Sequence, residues 1–126
     1  MNAPALPLMI VDDSLVIRNR LARISADPRM PPVTVVGLAR DGAEAIDLAR
    51  RVSPALVTMD LTMPNVDGAA CIGEIAAMLP RTRILVISAL SDRATALKAM
   101  KRGAHGFILK PFTDDQVIEA FRELLR

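Results

Sequence analysis

The chain has 126 residues, enough for one domain that buries about two-thirds of its unfolded surface. Hydrophobic residues make up 52% of the sequence, which excludes a disordered chain, and three Phe without Trp or Tyr give no aromatic platform for single-stranded nucleic acid. The net charge is only +2 and there is one cysteine, which excludes an internal disulfide and a cysteine-rich metal site.

Five short apolar runs alternate with helical patterns along the chain. The predicted strands cover residues 8–11, 33–38, 56–59, 84–87 and 107–109. Each run is short enough for a strand that is buried on both faces, as a parallel sheet requires.

Apolar residues recur at helical spacing after each of these runs. The stripes are, in chain order, Ile17, Leu21 and Ile24; Ala45, Leu48, Ala49 and Val52; Ile72, Ile75, Ala76 and Leu79; the weaker set Ala94, Leu97 and Met100; and Val117, Phe121 and Leu124. Four of these helices are preceded by residues suited to an N-cap. The predicted caps are Ser14, Asp41, either Ser91 or Asp92, and Thr113, which forms a capping box with Gln116.

A strand followed by a helix, five times over, predicts an α/β fold. We expect a five-stranded parallel sheet in the order 2-1-3-4-5, sandwiched by five helices in the flavodoxin-like (βα)5 arrangement. In this order strands 1 and 3 are neighbours at the topological switch point, and ligands bind there beyond the carboxyl ends of the strands.

Chemically active side chains stand where four of the five predicted strands end. They are Asp12 and Asp13 after strand 1, Asp60 after strand 3, Ser88 after strand 4 and Lys110 after strand 5. Three carboxylates in one place repel each other and raise at least one pKa, and a divalent cation relieves that repulsion. A few hard oxygen ligands suit Mg²⁺ better than Ca²⁺.

The same set of groups can receive a phosphoryl group. A carboxylate oxygen of Asp60 can attack phosphorus, while Mg²⁺ and Lys110 neutralise the charge on the phosphoryl oxygens. Ser88 adds a hydroxyl donor. The sequence therefore predicts phosphoryl transfer to Asp60.

Four segments resemble the receiver domain of two-component response regulators: "VDDS", "MDLTMPNVDG", "ISA" and "GAHGFILKPF". The resemblance extends over residues 8–125. It implies that Asp60 is the phosphoacceptor. It also implies that the metal ligands are Asp12, Asp13, Asp60 and the backbone carbonyl of Thr62.

The resemblance further implies the moving parts of a switch. Ser88 is expected to move towards the phosphoryl group, Phe107 to rotate into the vacated space, and Lys110 to pair with the phosphate, with a cis Lys110–Pro111 bond. Ser88 stands in place of a Thr, and Phe107 replaces the frequent Tyr. Thr62 and Leu90 border the path of the attacking water in this family, so the resemblance does not fix the rate of dephosphorylation.

The function that the resemblance implies is signalling. A histidine kinase or its phosphotransfer protein is expected to phosphorylate Asp60, and a downstream protein is expected to bind the face formed by helix 4, strand 5 and helix 5. The chain is then not an enzyme, apart from catalysing its own phosphorylation and dephosphorylation. Several segments also resemble chemotaxis regulators, both the single-domain kind and the receiver half of the methylesterase. Because the chain ends after helix 5, we expect one receiver domain over residues 1–126, as a monomer or weak dimer.

Three alternatives stay open at this point. The chain is the receiver part of a larger regulator with a DNA-binding or methylesterase output, or a phosphate sink, or a phosphatase that uses Asp60 as its nucleophile. The phosphatase is disfavoured, because no second acid stands two residues after Asp60.

Other notable residues are predicted to be structural. His105 is expected in a surface loop and Cys71 in the packing of the third helix, and the methionines Met59, Met63 and Met100 are expected in core or rim packing. Two basic clusters, Arg18, Arg20 and Arg23 and then Lys98, Lys101 and Arg102, are expected to be solvated helix faces rather than a nucleic-acid interface. The chain has no signal peptide and no run of membrane-spanning length, which predicts a cytoplasmic protein without a membrane partner.

Overall fold

The computed structural model describes residues 4–63, 67–89 and 93–126, with five strands and five helices in strict alternation. The elements are β1 (Leu6–Val11), α1 (Leu15–Ser25), β2 (Val33–Ala39), α2 (Gly42–Val52), β3 (Leu56–Met59), α3 (Gly68–Met78), β4 (Arg83–Ser88), α4 (Arg93–Arg102), β5 (Gly106–Leu109) and α5 (Asp114–Leu124). The predicted alternation is confirmed. The observed strands other than β3 extend one or two residues beyond the predicted runs, at the start of β1 and β5, at the end of β2 and at both ends of β4.

All four strand pairs are parallel, and the sheet has the predicted order β2-β1-β3-β4-β5. At the centre, Val11 pairs with Met59. The residues that follow them, Asp12 and Asp60, therefore leave neighbouring strands at the same level. This register places the carboxyl groups side by side.

The sheet carries a separate apolar core on each face. The α1–α5 core, between the sheet and α1 and α5, contains Leu8, Ile10, Leu21, Ile87 and Phe121 among others. The opposite core, under α2, α3 and α4, is aliphatic apart from Cys71 and the edge of Phe107. None of the helices in the described ranges is long and apolar enough to cross a lipid bilayer.

The two edge strands differ from the prediction. Burial on both faces holds for β3 and for most of β1 and β4, but it is wrong for β2, where exposed and partly buried residues alternate. Val36 and Leu38 on β2 are 38% and 44% exposed. The pairs Leu8–Val35 and Met9–Gly37 leave Val36 as an extra residue, which forms a β-bulge. At β5 all four residues are partly buried or exposed. An edge strand has a neighbour on only one side, so its side chains keep more contact with water.

The predicted caps of α1, α2 and α5 are confirmed. Ser14 accepts from the Ile17 amide and Asp41 from the Glu44 amide, while Thr113 and Gln116 form the reciprocal capping box. Ser91 and Asp92 lie outside the described residues. Asp67 caps α3 by accepting from the Ala69 amide, which the sequence analysis did not predict.

The apolar stripe predicted for the fourth helix is wrong. Leu97 and Met100 are 61% and 41% exposed, whereas Ala99 is fully buried. α4 packs against α3, and its buried core residue is the small Ala99, whereas the larger Leu97 and Met100 point to solvent. Met100 is therefore not a core residue, while Met59 and Met63 are buried as predicted.

Candidate functional site

The structure brings together the three acidic side chains that the sequence places after β1 and β3. One carboxylate oxygen each of Asp12, Asp13 and Asp60 lies within 4.8 Å of the others; we call these residues the carboxylate cluster. The strand register is responsible, since the Asp60 amide donates to the Val11 carbonyl at 3.0 Å. Asp12 and Asp60 are each 1% exposed, and Asp13 is exposed.

Lys110 reaches the carboxylate cluster from the end of β5. Its Nζ donates to Asp12 Oδ2 at 2.7 Å and lies 3.6 Å from Asp60 Oδ2. The Lys110 side chain is only 17% exposed. The ammonium group thus offsets part of the negative charge. The predicted cis Lys110–Pro111 bond is present.

Asp12 is held on two sides by groups of the following helix. The Ser14 amide donates to Asp12 Oδ1 at 2.9 Å, and Arg18 Nη1 donates to the Asp12 carbonyl at 2.6 Å. Burial raises the pKa of the Asp12 carboxyl, and the charge of Asp60 adds a smaller rise; the bonds from Lys110 and Ser14 only partly oppose it. The sequence analysis attributed such a rise to crowding alone, whereas burial is the larger cause.

Asp60 is held by the residue two positions further on. Asp60 Oδ1 accepts from the Thr62 amide at 3.2 Å and from Thr62 Oγ1 at 3.0 Å. The sequence did not predict this contact, although an Asp side chain often accepts from the backbone amide two residues further on. The role of the Thr62 carbonyl as a metal ligand stays a prediction.

Gly68 at the start of α3 contacts the backbone of the Asp60 turn. A Cβ atom at Gly68 would lie 2.7 Å from the Leu61 Cα and 3.1 Å from the Asp60 carbonyl oxygen. Real Cβ atoms essentially never show the first distance, and the second is tighter than most Cβ contacts, so glycine lets α3 begin this close to Asp60. Gly68 is the first residue of α3, and this close approach is the reason that a glycine is needed there.

Ser88 and Phe107 lie on the neighbouring strands. Ser88 is fully buried at the end of β4, and its carbonyl accepts from the Lys110 amide at 2.9 Å. Phe107 is half-buried on β5, pairs with Val86 and packs against the core under α2, α3 and α4. Their predicted movement stays a prediction, and Leu90 lies outside the described residues.

The carboxylate cluster fits a small divalent cation. Its three ligands are hard oxygens from separate side chains, and Asp13 is open to solvent, which leaves room for the waters that Mg²⁺ retains. The Lys110 ammonium binds the same Asp12 carboxylate, so a cation and Lys110 compete for that group.

The other residues singled out in the sequence lie on different elements. His105 is exposed, as predicted, but its Nδ1 accepts from the Ile84 amide at 3.0 Å and so fastens the start of β5 to β4. Cys71 is fully buried on α3, and burial raises the pKa of its thiol to about 12. Both residues therefore have packing or bonding roles within the fold.

The first basic cluster is only partly solvated. Arg23 is exposed as predicted, but Arg18 and Arg20 are half-buried and bonded to backbone carbonyls, so the prediction is wrong for these two. In the second cluster Lys98, Lys101 and Arg102 are exposed as predicted, and Lys98 contacts Asp67 at 3.5 Å.

We expect Asp12→Asn to raise the free energy of unfolding, without metal at neutral pH, by about 1 kcal/mol, because it removes a buried charge while Asp60 remains 3.6 Å from Lys110 as its partner. A carboxyl whose pKa is raised in the folded state favours folding below its ordinary pKa, and that contribution is lost as the pH rises through the folded value. The variant's advantage should therefore be larger at pH 7 than near pH 4. Urea unfolding at pH 7 and near pH 4, with a chelator present, measures the free energy of unfolding of the wild type and the variant. The control is Asp47→Asn, which replaces an exposed acid on α2. A variant less stable than the wild type at pH 7 contradicts this account.

Comparison with known proteins agrees with this geometry. The family described as "Response regulator receiver domain" matches residues 8–122. The chemotaxis protein CheY of Listeria monocytogenes is 36% identical over 118 residues, which cover 94% of this chain and 97% of that protein. Protein-glutamate methylesterase/protein-glutamine glutaminase 4 of Myxococcus xanthus is 41% identical over 109 residues, which cover 84% of this chain and 30% of that protein.

A solved structure gives the same result for the fold. A chain in the crystal structure of the CheX-CheY-BeF3-Mg²⁺ complex from Borrelia burgdorferi superposes with a TM-score of 0.90 at 27% identity, covering 98% of this chain and 91% of that chain. The match to the family includes every strand end that carries the site. The chain belongs to the response regulator receiver domain family.

Proposed function

We propose that this receiver domain is a phosphorylation-controlled switch in which Asp60 accepts a phosphoryl group from a histidine kinase or a phosphotransfer protein. The observation that carries the proposal is the convergence of buried Asp60 with two further acids and Lys110 at one edge of the sheet. A buried carboxylate beside a lysine and a cluster of hard oxygen ligands is suited to receiving a phosphoryl group.

In the transfer, a carboxylate oxygen of Asp60 forms a new P–O bond. The P–N bond to the donor's phosphohistidine breaks, and its electron pair returns to the imidazole nitrogen. Thr62 supports this step by holding Asp60 Oδ1 through two hydrogen bonds. Bound Mg²⁺ supplies positive charge at the phosphoryl oxygens, and the ligands we propose for it are Asp12, Asp13, Asp60 and the Thr62 carbonyl.

Lys110 gains a new partner when Asp60 carries a phosphoryl group. In the structure its ammonium is bonded to Asp12 and lies 3.6 Å from Asp60 Oδ2. A dianionic acceptor at Asp60 and a cation at Asp12 both favour movement of the ammonium towards Asp60. We infer that this exchange of partners, with the movement of Ser88, signals phosphorylation to β4 and β5.

The output is proposed to be protein binding at the face formed by α4, β5 and α5. This face exposes Leu97, Met100 and Leu109, at 61%, 41% and 49%. Apolar side chains that lie together on a surface are typical of a protein-binding site, and we propose that these three contribute to one. Phe107 lies beside this face, so its rotation would change the face's shape. The CheY relatives support a role in chemotaxis.

A second candidate function is regulation of an attached output domain. It is favoured by the 41% identity to a methylesterase of which this chain covers only 30%. In that case phosphorylation of Asp60 changes a contact between domains instead of a contact with a separate protein. Phosphorylation-dependent capture of a separate target by this chain would favour the first candidate.

The proposal is tested by incubating the protein with a small phosphodonor, with Mg²⁺ or with a chelator. We expect intact mass to rise by one phosphoryl group only with Mg²⁺, and hydroxylamine to remove the label, because it cleaves acyl phosphates and leaves phosphoserine intact. A label that resists hydroxylamine, or that forms equally with a chelator, would show that this is not the chemistry of the site.

A further inference from the structure

Arg20 on α1 holds the segment that follows Lys110. Its Nη2 donates to the Phe112 carbonyl at 2.8 Å and to Asp114 Oδ1 at 3.1 Å. The guanidinium carbon also lies 4.4 Å from the centre of the Phe112 ring. One side chain therefore contacts the backbone, the ring and the first residue of α5 at once.

The segment held by Arg20 is short and begins at Lys110. Lys110 is bonded to β4 through its amide, and α5 begins at Asp114. Phe112 is 4% exposed and belongs to the α1–α5 core. Residues 110–113, which we call the lysine loop, are thus fixed at one end by the sheet and at the other by Arg20 and the core.

A second arginine of α1 holds the opposite side of the site. Arg18 donates to the carbonyl of Asp12, and Asp12 is the partner of Lys110. Arg18 and Arg20 are two residues apart on α1. Arg18 contacts the backbone of Asp12, and Arg20 contacts the lysine loop. α1 therefore holds both Asp12 and the loop of Lys110, and the Asp12 carboxylate oxygen and the Lys110 ammonium nitrogen are 2.7 Å apart.

We propose that Arg20 is a positioning residue that fixes the lysine loop so that Lys110 stays within reach of Asp12 and Asp60. The inference rests on the proposed function, because positioning matters only if Lys110 assists phosphoryl transfer. Arg20 is 30% exposed and Asp114 is 47% exposed, so solvent screens their ion pair, and the directional bond to the carbonyl of buried Phe112 is the stronger contact. Displacement of a charged group by about 1 Å is enough to slow a reaction substantially.

Loosening of the lysine loop should have opposite effects on the affinity for Mg²⁺ and on the rate of phosphorylation. If the lysine loop loosens, the ammonium spends less time on Asp12, and a cation meets less competition for that carboxylate. Binding of Mg²⁺ alone should then become tighter, while phosphorylation becomes slower because Lys110 is less well placed. A variant that merely damaged the fold would weaken both.

The test compares Arg20→Met, which keeps an apolar stem over Phe112 but removes the donors, with Arg20→Lys, which keeps a charge. Arg29→Ala is the matched control, because Arg29 pairs at 2.6 Å with Asp115, one residue beyond the partner of Arg20. Calorimetry measures Mg²⁺ affinity, since the chain has no Trp to report by fluorescence. Phosphodonor labelling gives the initial rate, and amide hydrogen exchange reports on residues 110–116.

For Arg20→Met we expect initial phosphorylation about tenfold slower, Mg²⁺ binding about twofold tighter, and faster exchange confined to residues 110–116. Arg20→Lys should recover part of the rate, and Arg29→Ala should match the wild type. Unchanged exchange and Mg²⁺ affinity in Arg20→Met, or parallel losses of stability, affinity and rate, would overturn the inference. If the wild type takes no label, the proposed function fails, and the exchange and Mg²⁺ measurements still decide whether Arg20 positions Lys110.

Discussion

Replacing Asp60 by Asn should abolish Mg²⁺-dependent labelling by a phosphodonor. The Asn side chain is nearly isosteric and its amide oxygen can still accept from Thr62, so the turn should keep its structure. The amide lacks the negative charge and nucleophilicity of the carboxylate, and no acyl phosphate can form on it. The intact mass of the protein after incubation with the donor measures the effect directly.

The matched control for this variant is Asp47→Asn. Asp47 is an exposed acid on α2, paired with Arg51 at 3.2 Å and not part of the carboxylate cluster, so its replacement removes one charge and keeps all the cluster's ligands. We expect this control to be labelled like the wild type. Undiminished labelling of Asp60→Asn would remove Asp60 as the phosphoacceptor and, with it, the proposed mechanism.

Replacing Lys110 by Ala should retain Mg²⁺ binding, with an affinity at least that of the wild type because a competitor for Asp12 is removed, but uncouple phosphorylation from the output. The variant removes the ammonium that is bonded to Asp12, so the carboxylate cluster keeps all its oxygen ligands. It also removes the cation that would move to the phosphoryl group, and we expect phosphorylation to slow by about two orders of magnitude. Calorimetry with Mg²⁺, labelling kinetics and phosphorylation-dependent capture of partner proteins separate these effects.

Lys98→Ala is the control for the lysine variant. Lys98 is an exposed lysine on α4 whose 3.5 Å contact with Asp67 is open to solvent. Its loss should change neither Mg²⁺ affinity nor labelling. Full retention of the phosphorylation-dependent response in Lys110→Ala would contradict the role proposed for Lys110, and loss of Mg²⁺ binding would show that Lys110 supports the cluster instead of competing with the cation.

The sequence was sufficient to predict where the site lies. Alternating apolar runs and helical stripes predict a five-stranded parallel sheet, the commonest order for such a sheet is 2-1-3-4-5, and that order places particular strand ends side by side. Asp12, Asp60 and Lys110 could therefore be brought together without coordinates. Their residue types then indicated phosphoryl transfer, because several carboxylates can hold a divalent cation and a lysine beside them can neutralise phosphoryl oxygens.

The contacts that support the site were not predictable in the same way. Arg20 meets the lysine loop across more than ninety residues of chain, and this contact depends on how α1 and α5 pack, which periodicity does not specify. Gly68 is needed because of a close backbone approach, not because of its own conformation. The exposed stripe of Leu97 and Met100 shows the same limit, since a helical repeat indicates which residues share a face but not which way that face points.

The bulge at Val36 has a consequence for how molecules of this protein meet one another. The outer side of β2 has unpaired N–H and C=O groups, and a strand from another molecule could bond to them if they formed a regular row. The extra residue breaks that row midway along the edge. Extension of the sheet from one molecule into the next is thereby hindered along this edge.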